Sequence, residues 1–292
     1  MYYIALVMDS TKRRKRRSIA IILDCDGTIA EDTTSQLIKF IGGDPICFWE
    51  TVNPRYSEGW DPSLLWMPKL VEYANNLGKP LCKNLFIEAG RNIKFFDGIP
   101  QCFTNLQKWF IEEAEKQDIE LDLKFFIITG GLEDLILETR LKLTVNEIYG
   151  CTFHFDDKGV ADHPMSSVTF TEKTRFIFSI NKGIEKKEER ADPGIVNIYM
   201  PQAMRPVPLD KVIYIGDGPT DVPCFTIINR AGGQVIGIRG KREAAIPSMG
   251  IKEPFSENYR PRWGPFRPDY TEESDLILTI KDLLSEIMKR PL

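Results

Sequence analysis

Asp24-Cys25-Asp26-Gly27-Thr28 sets two carboxylates at i and i+2. They follow directly on the apolar run Ile19-Ala20-Ile21-Ile22-Leu23, so a buried strand runs out into a glycine turn that carries both acids. An open α/β sheet keeps its reactive groups beyond the carboxyl ends of its strands. A carboxylate in that place can act as a nucleophile toward a phosphoryl group. A second carboxylate two residues on can handle the leaving-group proton. The same residues also describe a plain Asp-Gly turn between two elements. Cys25 alternates to the opposite side from its aspartate neighbours and is read as packing.

Three further segments carry chemistry. Phe126-Ile127-Ile128-Thr129-Gly130-Gly131 ends an apolar run with a hydroxyl and two glycines, ahead of an expected helix. The N–H groups of a helix N-terminus bind anions, and Thr129 could donate to a phosphate oxygen, though Thr-Gly-Gly also caps many helices. Thr171-Glu172-Lys173-Thr174-Arg175 opens another expected helix. Lys173 there could neutralise phosphoryl charge and hold a nucleophile, with Lys182 a competing candidate. Tyr214-Ile215-Gly216-Asp217-Gly218-Pro219-Thr220-Asp221 runs an apolar strand into two aspartates. Hard oxygen ligands at a strand end suit Mg²⁺, and a Gly-Asp-Gly turn without a ligand would read the same way.

The elements that must position these groups alternate. Strands are expected at Ile19–Leu23, Lys124–Ile128, Gly150–Phe155, Lys211–Ile215 and Gln234–Ile238. Helical patterns span 99–116, 132–143, 174–184, 221–231 and 275–289. This alternation predicts an α/β fold with a doubly wound, mostly parallel, Rossmann-like sheet. Asp157-Lys158-Gly159 marks a hairpin turn. The segment 33–97 breaks the pattern: it is rich in aromatics, with a helix start at Asp61-Pro62-Ser63 and stops at Gly78 and Pro80. It is read as a small helical cap domain inserted after the first strand, within a catalytic core of 18–32 and 98–292, behind a tail of 1–17. The aromatics are mostly the insert's own core. Lys187 to Pro208 reads as a surface loop. The long irregular stretch 240–270 could be a functional loop, a clamp over the core or a dimer contact.

Composition bounds the rest. The 292 residues include 42% hydrophobic and 27% charged, ordinary for a soluble globular chain. A net charge of -4 gives no basic field for nucleic acid. No apolar stretch approaches the roughly 20 residues that span a bilayer. The N-terminus has an apolar stretch before its basic block 12–17, the reverse of a secretory signal. That block is read as a solvated tail, with an anionic surface or a localisation patch as the alternatives. The six cysteines show no zinc-like spacing, which suggests reduced thiols and a cytoplasmic location.

Taken together, the four motifs resemble the phosphatase branch of the haloacid dehalogenase (HAD) superfamily, most closely its phosphoserine phosphatase-like members. The resemblance implies that Asp24 is the phosphoryl acceptor and that Asp26 is the general acid/base, lending its backbone carbonyl to Mg²⁺. It implies that Thr129 and Lys173 serve catalysis and bind phosphate, with Gly27, Thr28 and Gly130 holding phosphoryl oxygens. Asp217 would be the metal-binding aspartate, and Asp221 would support the metal shell or the lysine. The expected activity is Mg²⁺-dependent hydrolysis of a small phosphorylated metabolite through an aspartyl-phosphate. A carboxylate at i+2 argues against a dehalogenase. A phosphomutase of the same fold, or a non-enzymatic member binding a phosphorylated ligand or a protein, is the alternative. Arg55 and Arg91 could pair with an anionic part of the substrate, whose identity the core motifs leave open, as they do the oligomeric state.

Overall fold

The computed structural model describes residues 17–239 and 261–291. The tail 1–16, with most of the basic block, and positions 240–260 of the long stretch lie outside the described residues. Strand β1 (Ser18–Leu23) is buried along its whole length. Its uniform apolarity suits a strand covered on both faces. It pairs in parallel with β2 (Asp122–Leu132) on one side and β5 (Val212–Gly216) on the other. Beyond β2 lie β3 (Glu147–Phe155), parallel, and β4 (Ala161–Ser166), antiparallel. Beyond β5 lie β6 (Gln234–Ile238) and β7 (Trp263–Phe266), both parallel. The sheet order is β4-β3-β2-β1-β5-β6-β7. The chain builds outward from β1 in one direction and then the other, so the strand order switches between β1 and β5. In such sheets the ligand crevice opens there.

Alternate residues of β1 feed two apolar layers. Ile19, Ile21 and Leu23 face α5 (Gln101–Lys116) and α10 (Asp275–Met288), with Phe103, Leu106, Ile280 and Leu284 in the same cluster. Ala20 and Ile22 face the other layer, with α7 (Glu172–Lys182) and α9 (Val222–Arg230) contributing Ile177 and Ile228. Between β1 and α5 the chain forms α1 (Thr33–Phe40), α2 (Pro45–Val52), a 3-10 turn at Asn53–Glu58, α3 (Pro62–Asn76) and α4 (Lys83–Asn92). Asp61 caps α3 by accepting from Ser63 N at 3.1 Å. Phe48, Trp49 and Trp66 are buried, and they belong to the same apolar cluster as Ile22 and Ile177. Trp60 instead stays exposed.

Three segments differ from expectation. The pattern 132–143 does not form one helix: α6 is a single turn (Glu133–Ile136), followed by a 3-10 turn at Arg140–Leu143. Thr139 explains the break, because its hydroxyl donates to Ile136 O at 2.7 Å and accepts from Leu141 N at 3.2 Å, competing with the helical ladder. The 187–208 stretch is not all loop. It holds part of α8 (Lys186–Ala191), started by a capping box between Glu185 and Glu188, with Lys186 and Glu189 buried. Lys186 pairs with Glu133 at 2.8 Å and Glu189 with Arg175 at 2.7 Å. Finally, the described part of the 240–270 stretch contributes β7 and Tyr270, whose hydroxyl donates to Thr28 O at 2.9 Å. That contact favours the clamp reading for these residues. No helix among the described residues is long and apolar enough to cross a membrane.

Candidate active site

The ends of β1 and β5 bring the first and fourth motifs together. Asp24 N donates to Ile215 O at 2.9 Å, which extends the parallel ladder by one residue and fixes Asp24 at the strand-order switch. Two residues beyond Ile215 stands Asp217. Gly27, at φ 78°, makes the approach of the two loops possible. A Cβ there would lie 2.1 Å from Asp217 Oδ2, so a side chain is excluded by both conformation and space. Thr28 Oγ1 donates to Asp217 Oδ1 at 3.4 Å.

Lys173, in the first turn of α7, points into this space and is only 1% exposed. Its ammonium lies 2.9 Å from Asp24 Oδ2 and 2.8 Å from Asp221 Oδ1. Asp221 is fully buried and also accepts from Tyr214 OH at 2.8 Å and Gly218 N at 3.2 Å. The sequence left Asp221 between a metal-supporting and a lysine-supporting role; its contacts are with the lysine, and its carboxylate also borders the acidic cluster. Lys182 is elsewhere: its ammonium caps backbone carbonyls, donating to Val196 O at 2.5 Å and Ile198 O at 2.6 Å. Cys25 is buried in the apolar layer that holds Ile19, Ile21 and Leu23, and its backbone N donates to Asp24 Oδ1 at 2.7 Å.

Burial and crowding raise the acids. Asp24 is pushed up to about 7 by burial and then by Asp221, against the pull of Lys173. Asp26 is pushed up to about 8 by burial and the neighbouring Asp32. Asp217 is held well above the usual carboxylate range by burial and then by Asp24. Burial pulls the Lys173 ammonium down, but Asp221 and Asp24 more than offset it, so its pKa is raised.

Asp26 and Thr129 meet beside Gly131. Asp26 Oδ1 accepts from Thr33 N at 2.7 Å. A Cβ on Gly131 would lie 2.5 Å from Asp26 Oδ2, 3.2 Å from Thr33 Oγ1 and 3.3 Å from Thr129 Oγ1. The close approach of these three side chains therefore requires that residue 131 have none. Thr129 sits inside β2 and its hydroxyl accepts from Gly131 N at 2.9 Å. Strand β2 runs on to Leu132, so Thr129 and Gly130 do not stand at a helix N-terminus as expected but within the β-irregularity between Ile128 and Leu132. Thr33 and Tyr214 were not singled out in the sequence. The signals were an Asp-Thr helix start seven residues after Asp26 and a lone tyrosine in the apolar run before Asp217.

In the insert, Tyr56 is pushed up to about 12 by burial and then by the carboxylates of Asp32 and Asp61. Arg55 pairs with Glu58 at 3.4 Å and stacks on Trp60, while Arg91 is exposed.

Asp24, Asp217 and Asp221 offer carboxylate oxygens that all lie within 4.8 Å of one another. Lys173 pairs with two of these, and no ion pair reaches Asp217 among the described residues. Three crowded carboxylates with one ammonium leave negative charge uncompensated, and their donor set is all hard oxygen. The residues present therefore fit a Mg²⁺ ion. The carboxylate of Asp26 is outside this cluster.

No protein-family profile matches the chain. A curated relative, an uncharacterized protein of Borreliella burgdorferi, is 27% identical over 236 residues, spanning 72% of this chain and 78% of that one. Among solved structures, a HAD-family hydrolase from Salmonella enterica serovar Typhi aligns over 89% of this chain and 76% of its own, at 15% identity and a TM-score of 0.48. A phospho-aspartyl intermediate analogue of phosphoserine phosphatase aligns over 76% and 87%, at 14% and 0.45. Cytosolic 5'-nucleotidase IIIB bound to cytidine aligns over 99% and 93%, at 14% and 0.48. The chain is similar to HAD-family hydrolases.

Proposed function

We propose that this protein is a Mg²⁺-dependent phosphatase of the HAD superfamily, acting on a small phosphorylated metabolite through an aspartyl-phosphate. The observation that carries the reading is the buried Lys173 ammonium bridging Asp24 and Asp221, beside Asp217, at the strand-order switch. Asp24 and Asp217 would hold the metal through their carboxylates, with Asp26 adding its carbonyl. Bound there, Mg²⁺ would supply Lewis-acid stabilisation of the charge on the phosphoryl oxygens.

In this reading the Asp24 carboxylate attacks phosphorus and the bond from phosphorus to the ester oxygen breaks. Asp26 gives its proton to the departing alkoxide. It then takes a proton from water, which attacks the acyl phosphate, releasing inorganic phosphate and restoring Asp24. The two acids differ in the way this requires. Asp24 has an ammonium at 2.9 Å to hold its charged form. Asp26 has none among its neighbours, and burial and then Asp32 raise its carboxyl to about 8, which favours the protonated form an acid needs, while Asp24 is itself raised to about 7. Lys173 steadies the nucleophile and faces the phosphoryl charge. Thr28, Thr129 and the backbone at Gly27 and Gly130 would hold the phosphoryl oxygens. The insert 33–97 acts as the cap that excludes water. The six free cysteines support a cytoplasmic setting.

Phosphate release from p-nitrophenyl phosphate and a phosphometabolite panel tests the reading, with Mg²⁺ and with EDTA. Wild type turns over with Mg²⁺, and Asp24→Asn loses roughly 10⁴-fold or more. Retained turnover in Asp24→Asn would overturn the assignment.

A further inference from the structure

Both histidines of the chain, His154 and His163, stand together on the β3–β4 hairpin. They face one another directly across the antiparallel pair. Their rings stack at 4.6 Å with 23° between planes. Both Nδ1 atoms converge on one oxygen, Asp162 Oδ1, at 2.9 Å from His154 and 2.7 Å from His163. All three residues are exposed.

The backbone builds this arrangement. Neighbours on a strand normally point to opposite faces, so Asp162 and His163 should not share a partner. Here the register slips: Phe155 opposes Ala161 while His154 opposes His163, which leaves Asp162 as an extra residue on β4. A bulge of this kind re-aims side chains. It turns Asp162 and His163 together toward His154.

We propose that His154, Asp162 and His163 form a binding site for a divalent transition metal of the Zn²⁺ class. The donor set is two imidazole nitrogens and one carboxylate oxygen, which suits Zn²⁺, Ni²⁺ or Cu²⁺ and disfavours Mg²⁺. The site is therefore chemically separate from the all-oxygen cluster at Asp24. Ligand atoms about 2.0–2.1 Å from a tetrahedral Zn²⁺ stand about 3.3 Å apart. The Nδ1–Oδ1 separations of 2.9 and 2.7 Å need to open by roughly 0.4 and 0.6 Å, which exposed side chains can do. On binding, each neutral ring gives up its Nδ1 proton and carries one on Nε2, so a neutral pair releases no net proton. Three protein ligands leave outer positions for water. The bound ion ties β3 to β4, the hairpin to which the insert is joined through the Cys82–Val160 bridge.

The test is a Zn²⁺ titration of tag-free protein, followed by histidine ring NMR and thermal unfolding. Because the chain has two histidines, the ring spectrum holds two residues and nothing else. One equivalent of Zn²⁺ shifts both rings, with a Kd on the order of micromolar, and raises the unfolding temperature. Excess Mg²⁺ shifts neither ring. His154→Gln and His163→Gln each lose this binding, while Asp217→Asn, which alters the acidic cluster, keeps it. These are exposed positions, so both histidine variants fold. Absence of any ring shift in the wild type, or binding that survives either histidine substitution, overturns the proposal.

Discussion

Replacing Lys173 by Met removes the one ammonium that faces Asp24 and Asp221 while keeping most of the side-chain volume. Both carboxylates lie at 2.8–2.9 Å from Nζ and are at least 95% buried, so water does not replace the lost partner. Breaking a buried pair by removing one member costs about 3–5 kcal/mol. The pH dependence is the diagnostic part. Lys173 has a raised pKa, so it is charged in folded and unfolded chains alike at pH 5–8 and contributes no slope there. Asp24 has a folded pKa of about 7, above its unfolded value, so its burial is tolerated at low pH and stability falls as pH rises from about 4 to about 7, with no further slope from this group above that. Without the ammonium that pKa climbs further. Each added unit enlarges the cost at high pH by about 1.4 kcal/mol. Urea unfolding of metal-free protein at pH 5 and pH 8.5 reads this directly. The variant should be destabilised at both, and more at pH 8.5. Phosphatase turnover should fall at least ~10²-fold. A loss below about 1 kcal/mol, or one equal at the two pH values, would refute the argument that Lys173 neutralises buried acids.

Gly131→Ala puts a methyl group 2.5 Å from Asp26 Oδ2. Steady-state kinetics should show kcat reduced more than ~10-fold, with a stability cost of about 1–3 kcal/mol in urea unfolding. Metal-free wild type should lose thermal stability as pH rises from about 4 to 8, because Asp24 and Asp26 both have raised folded pKa values. Mg²⁺ should restore most of that loss in calorimetry, and Asp217→Asn should abolish the restoration. Tyr270→Phe removes the bond to Thr28 O and should cost about 1 kcal/mol, measured by urea unfolding.

Much of the core was legible because its signals are local. A strand buried on both faces must be apolar throughout, and Ile19–Leu23 announces itself in that way. The edge strand β7 was hidden, since Trp263-Gly264-Pro265-Phe266 looks like a chain breaker. Pro is tolerated on an edge, and Trp263 earns its place through Nε1 donating to Gln234 Oε1 at 3.0 Å. The helix expected over 132–143 failed because apolar spacing does not register Thr139 bonding its own backbone. At the site, acids adjacent in sequence to strand ends were readable. The meeting of Asp24, Lys173 and Asp221 required long-range packing, so spacing alone did not choose between Lys173 and Lys182 or set the partner of Asp221. Tyr214 and Thr33 were missed for the same reason: their partners are fixed by the fold and carry no motif of their own.

The central claim is that Asp24 accepts the phosphoryl group. An acyl phosphate reacts with hydroxylamine to leave a hydroxamate on the carboxyl it occupied. The protein is incubated with a turned-over phosphate ester and Mg²⁺, quenched with hydroxylamine, digested and read by tandem mass spectrometry. The account predicts a hydroxamate on Asp24, dependent on both substrate and Mg²⁺ and absent from Asp24→Asn. Turnover with no label on Asp24, or with the label on another carboxylate, would contradict it.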